Sequence, residues 1–137
     1  MKKIIIPGIV TGFGILVTSL LWSTVTGALF PSLGEEYQSG LFRPWTDPLM
    51  SLFFIHPFLV GIVLAYAWDM VKRHFEGGTD LSRAFRFGWW YFVIATIPGM
   101  VISYSSFKMS FLMLMTWTVS GLIEAVVAGY ILGKLRK

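Results

Sequence analysis

The sequence predicts an all-α membrane protein: four transmembrane helices in an up-down bundle, with both termini cytoplasmic. Four apolar stretches, at residues 4–30, 49–71, 87–104 and 109–132, predict the number of crossings. A hydrocarbon core of about 30 Å takes roughly 20 helical residues rising about 1.5 Å each, and helices alone pair every backbone group within one segment. Composition agrees, since 55% of the 137 residues are hydrophobic and 13% are charged, against about a quarter charged in soluble chains. The third observation is the placement of the cations. Lys2, Lys3, Lys72, Arg73, Arg83, Arg86, Lys134, Arg136 and Lys137 fall on one side of the threading, and only Arg43 and Lys108 on the other. Such asymmetry orients the basic side toward the cytoplasm. The reading is a single membrane domain, residues 1–137, multi-pass in the cell membrane.

The first stretch follows Lys2 and Lys3 and is too long for a signal h-region of about 7–15 residues, so it is read as the first span. Pro7 lies in its first turns, where a missing N–H costs least. Residues 31–47 form the longest loop, acidic through Glu35, Glu36 and Asp47. Leu41, Phe42 and Trp45 suit it to the headgroup level, either as an interfacial anchor or folded back as a lid. The second span contains His56-Pro57, a pair that predicts a kink, and ends at Lys72, Arg73 and His74. Gly77-Gly78 marks a turn. Arg83 and Arg86 introduce the third span, which carries Trp89, Trp90 and Tyr91 as an aromatic belt and Pro98-Gly99 as a bend. The fourth is the organising helix. Gly121, Ala125, Gly129 and Gly133 recur every four residues on one face, and Thr116, Ser120 and Glu124 do so on the adjacent face. Small residues let helix backbones approach closely in lipid, and Gly8, Gly12, Gly61 and Gly99 are expected to do the same on the other spans.

Chemistry has few places to reside. Without cysteine, the chain supports no disulfide exchange, thiolate metal site or cysteine nucleophile. The net charge of +4 sits at the ends of apolar runs rather than in one patch, which reads as topology signal and lipid contact, not nucleic-acid binding. One His and one Glu inside the spans are too few to hold a metal, no catalytic triad can be assembled, and no cofactor is expected. Counting along the helices puts Glu124 roughly 14 Å from the basic ends and His56 roughly 25 Å. Thr11, Tyr66, Tyr91 and Thr96 are then the expected neighbours of Glu124, and Ser19, Ser23, Ser103, Tyr104 and Thr116 those of His56. Glu124, Ser120, Thr116 and His56 form a candidate polar file for a proton or ion.

Size and span count are similar to those of the small multidrug-resistance transporters, but their essential acid lies in the first span and this first span has none. Two functions are expected. One is helix–helix association, as a homo-oligomer or an accessory subunit beside other membrane subunits, resting on the abundance of small-residue stripes. The alternative is a small proton- or cation-coupled transporter or channel using Glu124.

Overall fold

The computed structural model describes residues 2–75 and 77–136, and among these no strand occurs. Four helical segments, Lys2–Leu29, Pro48–Phe75, Asp80–Ser106 and Phe111–Leu135, are long and apolar enough to cross a membrane, so the protein is a multi-pass membrane protein. We number the helices α1 (Lys2–Leu29), α2 (Pro31–Tyr37), α3 (Leu52–Val71), α4 (Asp80–Tyr91), α5 (Ile97–Ser106) and α6 (Phe111–Leu135).

Small residues set the packing. A Cβ on Gly8 would lie 2.6 Å from the Ile62 Cα, one on Gly12 2.6 Å from the Phe58 Cα, and one on Gly61 2.5 Å from the Gly12 nitrogen. The pairings therefore descend along α3 as they ascend along α1. Helix α6 lies against α1 on one side, with Gly14 under the Ile131 side chain, and against α4 on the other. There, a Cβ on Gly129 would sit 2.7 Å from the Ala84 carbonyl oxygen, and one on Gly121 2.7 Å from the Thr96 methyl. Gly88, which the spacing argument did not single out, completes this contact, since a Cβ there would lie 2.8 Å from the Val126 nitrogen. Ala125 is buried and Gly133 makes ordinary contact with the Trp68 ring. Gly99 departs from expectation: nothing lies within 4 Å of its Cβ position.

The reason is the turn before it. Residues Phe92–Thr96 form a π-helical turn in which the Ile97 N–H reaches back to the Phe92 carbonyl. Pro98 has no N–H to give, and widening the helix just ahead of it re-pairs backbone groups that the proline would strand. Beyond this turn α5 touches mainly α6, and its remaining surface, including Val101 and Ile102, is exposed.

The core is concentrated where the cations gather. Ile15, Leu64, Ala65, Trp68, Phe87, Ala128 and Leu132 pack as one buried cluster, with the Trp68 and Phe87 rings edge to face at 5.0 Å. Around it Arg136 pairs with Asp69, Lys134 with Asp80 at 2.5 Å, and the Trp68 indole donates to the Arg136 carbonyl at 3.1 Å. The end of α6 is thereby fastened to both α3 and α4. Helix α4 begins at Asp80, seven residues earlier than the apolar stretch. Thr79 caps it by accepting the Ser82 N–H at 3.2 Å, and Arg83 lies over the Trp68 ring at 5.9 Å, so a basic turn extends the helix past its apolar part.

At the opposite end, residues 31–47 are not wholly loop. Pro31 at the first position starts the short helix α2, as its fixed φ favours. Leu33 then packs with Met109 and Met113, flanked by Leu41, Phe42 and Trp117. The segment folds back onto the start of α6.

Candidate functional site

Glu124 stands on the face of α6 between α1 and α4. One turn further on, Ala128 is fully buried in the apolar cluster, while Glu124 itself is half-buried. The Ser120 hydroxyl donates to its Oε1 at 2.6 Å, the (i, i+4) geometry of a helix face. Ser19 of α1 lies within hydrogen-bonding reach of the same carboxyl. Tyr91 of α4 stands close enough for a charge on Glu124 to act on its phenol. Three helices thus contribute polar groups around one carboxyl.

Of the partners expected for Glu124, the structure brings Tyr91 near and leaves the others elsewhere. Tyr66 is exposed on α3, Thr96 packs on Gly121, and the Thr11 hydroxyl is buried without a hydrogen-bond partner among the described residues. Ser19 takes their place. Counting by Cα level missed it because helical side chains lean toward their own N-termini. On helices whose pairings run in opposite senses, Glu124 and Ser19 lean toward each other and close the difference in level.

His56 does not join this group. It lies on the exposed face of α3 and makes no hydrogen bond among the described residues. The helix runs through Pro57 from Leu52 to Val71, with Pro57 buried against Gly12, and that contact turns the preceding histidine outward. Of its expected neighbours, Ser103 and Thr116 bond back to their own helices, Ser103 donating to the Gly99 carbonyl at 2.8 Å and Thr116 to that of Met113 at 2.8 Å. The Thr116 carbonyl accepts the Trp22 indole N–H at 2.9 Å, a link between α1 and α6 with no periodic signal. Of the four candidate residues the structure brings Ser120 and Glu124 together, with Ser19 beside them, while Thr116 lies a turn away bonded to its own helix and His56 stands apart.

Glu36, which no motif marked, accepts both the backbone N–H and the hydroxyl of Ser110 at 2.6 Å each, while Ser110 caps α6 by accepting the Met113 N–H at 3.1 Å. Beside it the Trp117 indole donates to the Tyr37 hydroxyl at 2.7 Å. Among the described residues, no group of three His, Cys, Asp or Glu side chains is placed to hold a metal ion. Comparison of the chain with family models, with curated proteins and with solved structures gives no match.

Proposed function

We propose that this protein is a small transporter or channel that takes up and releases a proton or small cation at Glu124, threaded up and down four times through the cell membrane with both termini cytoplasmic. The observation that carries the reading is the carboxyl held by Ser120 and approached by Ser19 and Tyr91 from two further helices. An ionised carboxylate among lipid-embedded helices is costly, so such a group holds a proton or pairs with a cation, and hydroxyls around it ease the exchange. The apolar cluster of Ala128, Leu132, Trp68 and Phe87 separates the site from the basic end. Access is then from the end where α5 stands away, with Ser120 and Ser19 nearest. The opposite pairings of α1 with α3 and of α4 with α6 support the up-down threading, and the cation asymmetry supports the cytoplasmic placement of the termini.

The test is a pH jump across proteoliposomes loaded with a pH-sensitive dye. Wild type should pass protons or a coupled cation, and Glu124→Gln, which keeps shape and hydrogen bonding, should abolish the flux while leaving assembly intact. Wild-type vesicles as tight as empty ones would defeat the proposal.

A second reading, association with a further copy or another membrane subunit, is favoured by the outward surface. His56 faces out from the first third of the span Pro48–Phe75, where lipid contact with an ionisable ring is unfavourable. A groove of about 380 Å³ between α5 and α6, lined by Ile97, Met100, Val101, Leu114 and Thr118, is open to a neighbour. The glycine stripes do not add to it, because Gly8, Gly12, Gly61, Gly121 and Gly129 are engaged within the chain. A bulky Val101→Trp change should lower the particle mass in mild detergent under this reading; a monomeric wild type would remove it.

A further inference from the structure

Thr11 is fully buried, and its hydroxyl has no hydrogen-bond partner among the described residues. Other threonines of the spans behave differently: Thr18, Thr24, Thr26, Thr116 and Thr118 each donate to a carbonyl three or four residues back on their own helix. A hydroxyl in an apolar interior with nothing to bond costs free energy comparable to a lost hydrogen bond. Native proteins meet such groups with protein or with water.

Its place along the helix gives the hydroxyl a direction. Thr11, Ile15 and Ser19 recur every four residues and share one face of α1. Ser19 approaches Glu124, Ile15 belongs to the buried cluster with Ala128 and Leu132, and Ile4 packs against the same cluster from beyond Thr11. Thr11 is therefore the next polar side chain after Glu124 on the way to the basic end, roughly 12 Å from Ser19 along the helix, with Ile15 between them. The carbonyl of Pro7, one turn earlier, has a second lone pair to offer, whereas that of Gly8 is packed against Gly61.

We infer that Thr11 holds a single buried water molecule, a second polar station on the basic side of the Ile15 barrier. The ligand class is water, held by the threonine hydroxyl and the Pro7 carbonyl. The site stands on the unpaired hydroxyl and its burial. Its role as the station through which a proton from Glu124 reaches the basic end rests on the function proposed above.

The two parts are tested separately in the full chain, reconstituted in vesicles of phosphatidylcholine and phosphatidylglycerol. Water-edited solid-state NMR reads the site directly: magnetisation from water should build up on the Thr11 Cβ several times faster than on Leu64 or Ala128. Build-up as slow as at those two residues overturns the water site, because the hydroxyl has then turned onto the Pro7 carbonyl. Flux reads the role. Thr11→Val should slow it about tenfold, the rate equivalent of one lost hydrogen bond, and Thr11→Ser should retain the wild-type rate. Unchanged flux in Thr11→Val overturns the relay role, whereas flux that survives Glu124→Gln overturns the Glu124 reading and leaves the water site to the NMR result.

Discussion

The Glu36 carboxylate grips Ser110 with both oxygens, taking the backbone N–H and the hydroxyl at 2.6 Å each. Ser110 is the N-cap of α6, so this contact places a negative charge at a helix N-terminus whose first N–H groups lack partners within the helix. It also fixes residues 31–42 over the start of the helix that carries Glu124. Glu36→Ala should cost about 1–2 kcal/mol, the range of a lost cap plus charge-assisted hydrogen bonds. Thermal unfolding in detergent would measure it. Hydrogen exchange should show the loss spreading to residues 109–113, since Met109 and Met113 share the apolar cluster with Leu33.

The glycines divide into those at backbone contacts and those in the open, and the two groups should respond to alanine with opposite signs. A Cβ on Gly61 would lie 2.5 Å from the Gly12 nitrogen, so Gly61→Ala forces α1 and α3 apart and should destabilise by about 1–3 kcal/mol. Gly99 has nothing within 4 Å, and Gly99→Ala should leave stability unchanged or raise it by up to about 1 kcal/mol through helix propensity. Unfolding midpoints of the two variants in one detergent provide the comparison.

The crossings were legible in the sequence because length and apolarity are nearly sufficient conditions for a transmembrane helix, and because Gly8, Gly12 and Gly61 recur at the spacing that close packing needs. Glu124 was legible as the acid inside a span. Its partner Ser19 was not, since the pairing depends on the crossing register of α1 and α6, which no local pattern encodes. The extension of α4 through Arg83 and Arg86 escaped an apolarity argument for a similar reason: Thr79 capping and the Trp68 ring stabilise that turn, not hydrophobicity. The outward turn of His56 follows from Pro57 packing on Gly12, a contact between residues far apart in the chain.

Two groups outside the spans give pH dependences of opposite sense. Asp47 accepts the Leu49 N–H at 2.9 Å and the Arg43 guanidinium at 2.8 Å, and these, the backbone bond first, hold its carboxyl below the usual aspartate range. A depressed folded pKa means that the turn's added order is present above the unfolded pKa and lost as pH falls through the folded one. Exchange at the Leu49 amide should therefore accelerate only in strong acid. Burial pushes the Tyr37 phenol above the usual tyrosine range, although the Trp117 N–H donated to its oxygen pulls the other way. Stability from Tyr37 is thus complete below the unfolded pKa and declines as pH rises above it. Ultraviolet titration should show Tyr37 ionising late, and later still in Trp117→Phe.

Charged pairs fasten the basic end of α6. Arg136 meets Asp69 through both Nε, at 3.3 Å to Oδ1, and its terminal nitrogen, and the Trp68 indole N–H bonds the Arg136 carbonyl. Both charged side chains keep a fifth to a quarter of their surface exposed, so a fork-like guanidinium–carboxylate pair here is worth more than a solvated one but remains screened. Asp69→Asn should loosen the end of α6 by about 1 kcal/mol, and Arg136→Asp by more, because it sets two carboxylates together. The double exchange Asp69→Arg with Arg136→Asp should recover part of that loss, Lys72 at 3.6 Å from the original Asp69 being left beside a cation. Thermal midpoints at low and high salt measure the coupling, and recovery confined to low salt would mark it as electrostatic. Because the apolar cluster still separates Glu124 from the basic end, the singly substituted chains should exchange the amides of residues 132–136 faster while Glu124 and Ser120 keep their bond.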